Sequence, residues 1–302
     1  MPLEADATLL GSDPAGSAED LPEGTVIGDY RVESLLGEGG FGSVYRATHT
    51  VIGKRAAVKV LKREMSKNSE MVSRFIAEAR AVNEIRHRNI IDIFAFGQLP
   101  DGRHYYLMEL LEGESLEARL RRSDGGLPVP EAIAILRPLA RALHAAHARG
   151  IAHRDIKPEN VFLTPDEEGH ATPKLLDFGI AKLAGDGGSK HRTAPGVQMG
   201  TPMYMAPEQV HGRPVDHRAD IYSFGVMVFE LLTGQAPFDG ESAMAVMVKH
   251  VSAPIPSMSS VTPKLPPELD GPVRQMMEKD PDRRPASLLE AVDALIVAAE
   301  SA

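Results

Sequence analysis

Short runs of alternating apolar and polar residues fill the first third of the chain. The segment YRVESLLGEGGFGSVYRATH, which begins at Tyr30, predicts two strands around a glycine-rich turn, and GKRAAVKVLK predicts a third strand. Two more strands are predicted in IIDIFAFGQ and RHYYLMELL. Ahead of these two, SEMVSRFIAEARAVNEI carries apolar residues at helical spacing, which predicts an amphipathic helix. This part of the chain is therefore expected to form a small sheet with one helix.

The pattern becomes helical after Glu112. The segment PVPEAIAILRPLARALHAAHARG predicts a long helix that ends at Gly150 despite the internal Pro138. The segment HRADIYSFGVMVFELLTG predicts a buried helix capped by Gly234. A sheet-rich part followed by a larger helical part predicts an α+β fold of two lobes with a cleft between them.

Domain boundaries follow from the same change of pattern. We predict one domain over residues 30–299, with a first lobe over about 30–111 and a second over about 112–299. Residues 1–29 are rich in alanine, glycine, proline and acidic residues and show little periodicity, which predicts a mobile N-terminal tail.

Composition narrows the classes of partner and compartment. The net charge is −9 without a long basic run, which argues against nucleic acid or an anionic membrane as the main partner. The absence of cysteine excludes disulfides, thiolate catalysis and cysteine-based metal sites. No apolar run approaches about 18 residues, so no membrane segment is expected. The start MPLEADATLLGSD lacks the features of a signal peptide, so we expect a cytoplasmic protein.

The glycine-rich turn is the first candidate binding element. LGEGGFGSV contains the pattern G-x-G-x-x-G-x-V, in which missing side chains let backbone N–H groups approach phosphate oxygens. A dinucleotide-binding turn would need a helix directly after the glycines and an acid about 20 residues on. Here a strand pattern follows the glycines, and the residue 17 positions after Gly42 is Lys59 rather than an acid. The sequence therefore disfavours a dinucleotide site, and a plain hairpin turn remains the alternative.

Charged residues of complementary chemistry follow this turn. Lys59 lies in a predicted strand between two valines, and Glu78 lies at the buried edge of the predicted helix, so the two side chains could pair and direct an ammonium group at phosphates. The alternative is a lysine on a solvated strand face. Further on, AHRDIKPENVF and KLLDFGIAK supply Asp155 as a proton acceptor, while Asn160 and Asp177 offer hard oxygen ligands suited to Mg²⁺.

These motifs together resemble the eukaryotic-type (Hanks-type) serine/threonine protein kinases, most closely their bacterial branch. The resemblance covers about Tyr30 to Ala298, and six motifs come in family order: the glycine-rich loop, AVK, the helix glutamate, HRDIKPEN, DFG and APE. It implies the bilobal protein-kinase fold and transfer of the γ-phosphate of ATP to serine or threonine hydroxyls of protein substrates in signalling. It also implies use of Mg²⁺, or Mn²⁺ in its place, and a transient homodimer for trans-autophosphorylation.

The resemblance assigns roles to individual residues. Lys59 would pair with Glu78 and bind the α- and β-phosphates, Asp155 would act as the base, and Asn160 and Asp177 would hold the metal ions. Lys157 would add a catalytic positive charge, which is typical of serine/threonine-specific members. The remaining residues of the ATP site would be Leu36, Gly37, Glu38, Gly39, Gly40, Phe41, Gly42, Ser43, Val44, Ala57, Met108, Glu109, Leu111 and Phe162.

Other residues match structural or regulatory positions of the family. Thr201 would bond Asp155 and Lys157, Asp220 would brace the catalytic loop, and Glu208 would pair with Arg284. Arg154 would grip a phosphate on the activation segment, where Thr193 is favoured over Ser189 as the acceptor. A loop that is simply solvated is the alternative for that segment.

Two other functional classes share part of this pattern. A pseudokinase scaffold would lack the lysine, the base or a metal ligand, and none of them is missing here. A small-molecule phosphotransferase of related fold would not need the APE motif or a Ser/Thr-bearing activation segment.

Overall fold

A computed structural model describes residues 21–166, 168–178 and 202–302. The chain divides into two compact units, Met1–Glu114 and Ser115–Ala302. The first unit is dominated by an antiparallel sheet and the second by helices. The predicted α+β fold class is therefore confirmed.

The first unit contains a six-stranded antiparallel sheet in the order β1-β2-β3-β4-β6-β5. Its strands are β1 Val26–Ile27, β2 Tyr30–Glu38, β3 Gly42–His49, β4 Arg55–Leu61, β5 Ile93–Gln98 and β6 His104–Glu109. Two helices, α1 Arg63–Ser66 and α2 Ser69–Ile85, lie between β4 and β5. The five longer strands and the helix α2 are the elements that the hydrophobic pattern predicts.

Local signals explain the two ends of α2. The Asn68 side chain accepts hydrogen bonds from the Glu70 and Met71 backbone N–H groups, which satisfies donors that a helix start leaves free. The helix ends where Arg86 turns into the left-handed region at φ 48°. Its buried positions, among them Phe75 and Glu78, form one face because they recur at helical spacing.

The predicted N-terminal tail extends too far along the chain. Within the described part of residues 1–29, Val26–Ile27 pairs with β2, and Ile27 is 1% exposed. The Leu21 backbone N–H donates to the Tyr45 hydroxyl at 3.1 Å. A two-residue strand has too few positions for its alternation to be recognised in the sequence, which explains the error.

The second unit is mainly helical. Its helices are α3 Leu116–Arg121, α4 Val129–His147, α5 Pro207–Val210, α6 Arg218–Thr233, α7 Ala243–Ser252, α8 Met258–Val261, α9 Asp270–Met276 and α10 Leu288–Glu300. A small sheet combines β7 Glu114–Ser115, β8 Val161–Pro165 and β9 Ala171–Leu175 in that order. Among the described helices, none combines the length and the apolar character that crossing a bilayer requires.

The helix α6 is the centre of the second unit. Nearly all of its positions are buried, and it ends at Gly234, which caps the helix at φ 73°. A side chain at Gly225 would lie 2.7 Å from the Met276 Cβ atom, so this glycine allows α9 to pack closely against α6. The predicted buried helix and its glycine cap are confirmed.

Candidate active site

The glycine-rich turn joins β2 to β3. Glu38 pairs with Ser43 in the strand register, and the Gly39 N–H donates to the Gly42 carbonyl at 2.8 Å. A Cβ atom on Gly42 would lie 2.2 Å from the Val60 carbonyl oxygen, whereas one on Gly40 would meet no atom within 4 Å. Strand packing therefore requires the last glycine of the motif, and the tip leaves space in which a ligand can approach the backbone.

One face of the first sheet carries several predicted ATP-site residues. In the register, Lys59 of β4 pairs with Val44 on one side and with Tyr106 on the other. Ala57 pairs with Met108 two positions away, and alternate residues of a strand share a face. Val44, Ala57, Lys59 and Met108 therefore project from the same face of the sheet.

Lys59 and Glu78 form an ion pair on this face. The Lys59 Nζ atom lies 3.4 Å from Glu78 Oε1, and the two side chains are 14% and 7% exposed. The Tyr106 hydroxyl donates to the same carboxylate oxygen at 3.0 Å. The carboxylate on α2 thus restrains an ammonium group whose stem rises from the middle of β4.

The strand β6 ends at the residues predicted to bind the adenine edge. The Glu109 N–H donates to the Asp92 carbonyl at 2.9 Å, and the Glu109 carboxylate accepts from the Asp92 N–H at 2.9 Å. Both contacts fix Glu109 at the end of β6. Leu111 lies two residues beyond the end of β6.

The second unit brings three of the predicted catalytic residues together. The Asn160 amide nitrogen donates to the Asp155 carbonyl at 2.7 Å and to Asp155 Oδ2 at 3.1 Å. The Lys157 ammonium lies 3.9 Å from the same carboxylate oxygen. Since the amide nitrogen of Asn160 is directed at Asp155, its oxygen is the atom suited to a metal ion.

Asp177 is held beside this loop by backbone contacts. The Leu176 N–H donates to the Asn160 carbonyl at 2.8 Å, and β9 ends one residue earlier. The Asp177 side chain is exposed, while Phe178 after it is buried. Asp177 and Asn160 both present hard oxygen donors, which is the donor chemistry that Mg²⁺ prefers. The residues present therefore fit a divalent cation.

A buried histidine joins the catalytic loop to the segment that carries Asp177. The Asp155 N–H donates to His153 Nδ1 at 3.3 Å, so Nε2 carries the proton and donates to the Leu176 carbonyl at 3.1 Å. The ring also packs against Phe178 with 4.7 Å between centroids. Burial lowers the pKa of His153, so the imidazole is neutral and acts as a fixed bridge.

Asp220, the first-turn acid of α6, holds the backbone that leads into Asp155. Its two carboxylate oxygens accept from the His153 and Arg154 N–H groups, each at 2.7 Å, and His147 Nε2 lies 2.7 Å from Oδ2. Arg154 has φ 66°, a conformation that costs energy for a residue with a side chain. The buried carboxylate therefore stabilises a strained backbone next to the candidate base.

Several predicted residues lie elsewhere or outside the described part of the chain. Phe162 of β8 is 6% exposed, and the Arg154 guanidinium donates to the Val215 carbonyl at 3.1 Å. Three predicted residues lie outside the described part of the chain. They are Thr201, expected to bond Asp155 and Lys157, and the candidate phosphorylation sites Thr193 and Ser189. Glu38 is exposed and pairs with Lys62 at 2.7 Å, and Phe41 is 38% exposed.

The predicted scaffold acid and arginine meet in the second unit. Arg284 donates to both oxygens of Glu208, at 2.7 and 2.8 Å. These side chains anchor α5, which begins at the proline of the APE motif, to the segment before α10. Their contact is structural and touches no reacting group.

Sequence reasoning missed two residues of the site. Tyr106 contacts Glu78, and strand parity was an available signal because residues 106 and 108 share a face. His147 contacts Asp220, which is 73 residues away, and no local pattern indicates that contact.

Comparison with known proteins assigns the family. Residues 30–295 match the protein kinase domain. The chain is 44% identical over 287 residues to the serine/threonine-protein kinase Pkn1 of Myxococcus xanthus, covering 94% of this chain and 40% of that protein. It is 40% identical over 266 residues to PknA of Mycobacterium tuberculosis, covering 87% of this chain and 58% of that protein. The chain thus spans 40% and 58% of the lengths of these two curated relatives.

A solved structure agrees with these sequence relatives. The crystal structure of the Mycobacterium tuberculosis PknI kinase domain has a TM-score of 0.72 and 29% sequence identity, and the likeness covers 92% of this chain and 100% of that one. The chain therefore belongs to the Hanks-type protein kinase family, among its bacterial members.

Proposed function

We propose that this chain is a serine/threonine protein kinase that transfers the γ-phosphate of ATP to hydroxyl groups of proteins. The arrangement of Asp155, Lys157 and Asn160 in one loop carries the proposal, because the metal ligand lies 3.1 Å and the positive charge 3.9 Å from the carboxylate of the base. The relatives are named serine/threonine-protein kinases, which supports the same substrate class.

Asp155 is the proposed base of the reaction. Its carboxylate accepts from the Asn160 amide and lies near the Lys157 ammonium, so it stays oriented and can receive a proton from a substrate hydroxyl. Lys157 stabilises negative charge on the transferred group. Because phosphoryl transfer needs little covalent chemistry from the protein, positioning and charge account for most of the rate enhancement.

Asn160 and Asp177 are the proposed metal ligands. A Mg²⁺ or Mn²⁺ ion bound there neutralises phosphate charge. The chain's own contribution is to hold these two oxygen donors in place through the hydrogen bonds of Leu176 and His153. The donor set contains oxygen atoms alone, which favours Mg²⁺ over softer metals.

Residues of the first unit are proposed to bind the nucleotide. Lys59, restrained by Glu78, binds the α- and β-phosphates, and the glycine-rich turn supplies backbone N–H groups. Val44, Ala57 and Met108 share a sheet face with Lys59 and provide an apolar surface for adenine.

Control by phosphorylation is part of the proposal. Arg154 is proposed to bind a phosphate on Thr193 or Ser189, and Thr201 to bond Asp155 and Lys157. Two copies would exchange phosphate in a transient homodimer. Phosphopeptide mapping after incubation with ATP tests this part, and an unmodified segment in a fully active enzyme would contradict it.

An assay with labelled ATP and a generic protein substrate tests the main proposal. The wild-type chain is expected to produce phosphoserine or phosphothreonine, and Asp155→Asn and Lys59→Met are expected to lose about 10²-fold or more of this activity. Asp124→Asn and Lys67→Met alter exposed residues of the same types and serve as controls. Absence of transfer by the wild type would indicate a scaffold, and phosphorylation of small molecules alone would indicate the other phosphotransferase class.

A further inference from the structure

Glu78 receives donors from two neighbouring strands. Lys59 of β4 and Tyr106 of β6 are directly paired in the antiparallel register, so their side chains project from the same face. The Lys59 ammonium lies 3.4 Å and the Tyr106 hydroxyl 3.0 Å from the same atom, Glu78 Oε1. One carboxylate oxygen therefore joins an ammonium group and a phenol.

Tyr106 also contacts α2 at a second point. Its ring stacks on Phe75 with 4.7 Å between centroids and 22° between planes. Phe75 and Glu78 are three residues apart on α2, so they are neighbours on one helix face. The tyrosine is 1% exposed, and it holds this face of the helix through its ring and its hydroxyl.

The Tyr106 hydroxyl restrains the Glu78 carboxylate independently of the ion pair with Lys59. A hydrogen bond to a buried carboxylate is stronger than one between neutral groups, because the acceptor is charged and poorly solvated. An ammonium group that also binds a phosphate divides its attraction between the phosphate and Glu78. The Tyr106 hydroxyl still restrains the Glu78 carboxylate, and the carboxylate in turn keeps the Lys59 ammonium oriented.

We propose that Tyr106 is a positioning residue, whose hydroxyl holds Glu78 and thereby orients Lys59 toward the nucleotide. The expected effect of Tyr106 on catalysis rests on the proposed function. Its expected effect on the position of Lys59 rests only on the contacts of the described side chains.

Tyr106→Phe is the informative variant because it keeps the stacked ring and removes one hydroxyl. We expect kcat/KM for ATP to fall roughly tenfold, the size that loss of a hydrogen bond to a charged group produces. In a Glu78→Gln background the same substitution should change kcat/KM by less than about twofold, because the charged acceptor is already gone. A purely structural effect of the ring environment would persist in both backgrounds.

Tyr105→Phe is the matched control. Tyr105 is the preceding residue of β6 and packs on the opposite face of the sheet, against the core that contains Tyr45 and Val58. Its hydroxyl can be removed from the same strand without touching Glu78. Equal losses of kcat/KM in the two tyrosine variants would overturn the proposal, and so would an unchanged value in Tyr106→Phe.

The reactivity of Lys59 supplies a readout that needs no catalysis. Without nucleotide, acylation of Lys59 by an amine reagent is followed by mass spectrometry, with the exposed Lys67 as internal reference. We expect Lys59 to react about threefold faster in Tyr106→Phe, because a less restrained carboxylate covers the ammonium less. Tyr105→Phe should match the wild type. If the wild type transfers no phosphate, the proposed function fails, and an unchanged Lys59 rate then overturns the role of Tyr106.

Discussion

Arg284 donates two parallel hydrogen bonds to Glu208, and the carboxylate accepts one on each oxygen, at 2.7 and 2.8 Å. The guanidinium also donates to the carbonyls of Arg218, Glu278 and Lys279. Its side chain is 0% exposed and that of Glu208 is 8% exposed. A buried guanidinium of this kind is stable because each of its donor directions has an acceptor.

Glu208→Gln is expected to destabilise the second unit by about 3–5 kcal/mol, since it leaves a buried cation without its countercharge. Chemical denaturation measures the change. Arg283→Gln is the matched control because this neighbouring side chain is 73% exposed, and its variant should stay within about 0.5 kcal/mol of the wild type. A Glu208→Gln variant as stable as that control would contradict the role of the pair.

Gly42→Ala is expected to lower the stability of the first unit by about 1–3 kcal/mol, because the added methyl group would overlap the Val60 carbonyl at 2.2 Å. Gly40→Ala should leave the melting temperature nearly unchanged, since nothing lies within 4 Å of its Cβ position. Thermal unfolding of both variants checks this pair. If Gly42→Ala melts like Gly40→Ala, strand packing is not the reason for that glycine.

Asp220→Asn is expected to destabilise the loop before Asp155 and to lower phosphate transfer. An amide has one accepting oxygen, whereas the carboxylate accepts on both from His153, Arg154 and His147, so at least one buried donor loses its partner. The cost should be about 1–3 kcal/mol in unfolding free energy. Asp239→Asn changes a side chain that is 90% exposed and provides the comparison. Equal stability of the two variants would refute the bracing role.

Acid is expected to destabilise the second unit through His250 on α7. The imidazole is fully buried, with Nδ1 2.9 Å from the Tyr222 hydroxyl, and Lys279 lies 3.3 Å from the same hydroxyl. Burial, together with the Lys279 charge, lowers the pKa of His250 to about 4. The unfolded chain binds this proton near the ordinary value of about 6.5. Between these values the unfolded state therefore holds more protons, and the free energy of unfolding falls as pH falls, by on the order of 3 kcal/mol.

His250→Gln is the variant that checks this pH dependence. The amide retains hydrogen-bonding capacity without titrating, so the slope of stability between pH 6.5 and 4 should flatten relative to the wild type. His170→Gln, at a side chain that is 79% exposed, controls for loss of a surface histidine. Denaturation midpoints across this range give the result, and an unchanged slope in His250→Gln would rule out the buried imidazole as its source.

Elements with a strong local periodicity were predictable without coordinates. The helix α2 covers Ser69–Ile85, the segment that the spacing of its apolar residues predicts. The α6 helix and its Gly234 cap follow from a continuous apolar run and one glycine. The order of the chemical motifs likewise indicated which residues to propose as base, positive charge and metal ligands, since those needs follow from the reaction.

Only the folded structure shows which distant segments of the chain contact each other. The short strand β1 forms by pairing with the edge of β2, and two residues are too few for a sequence pattern to predict it. Tyr106 reaches Glu78 because strand register and helix packing bring together residues 28 positions apart. Residue type and periodicity are properties of a local stretch of chain, and they suffice for helices, strands and candidate chemistry. Which carboxylate accepts from which donor depends on how the elements pack. The sequence between two such residues contains no pattern that indicates their contact.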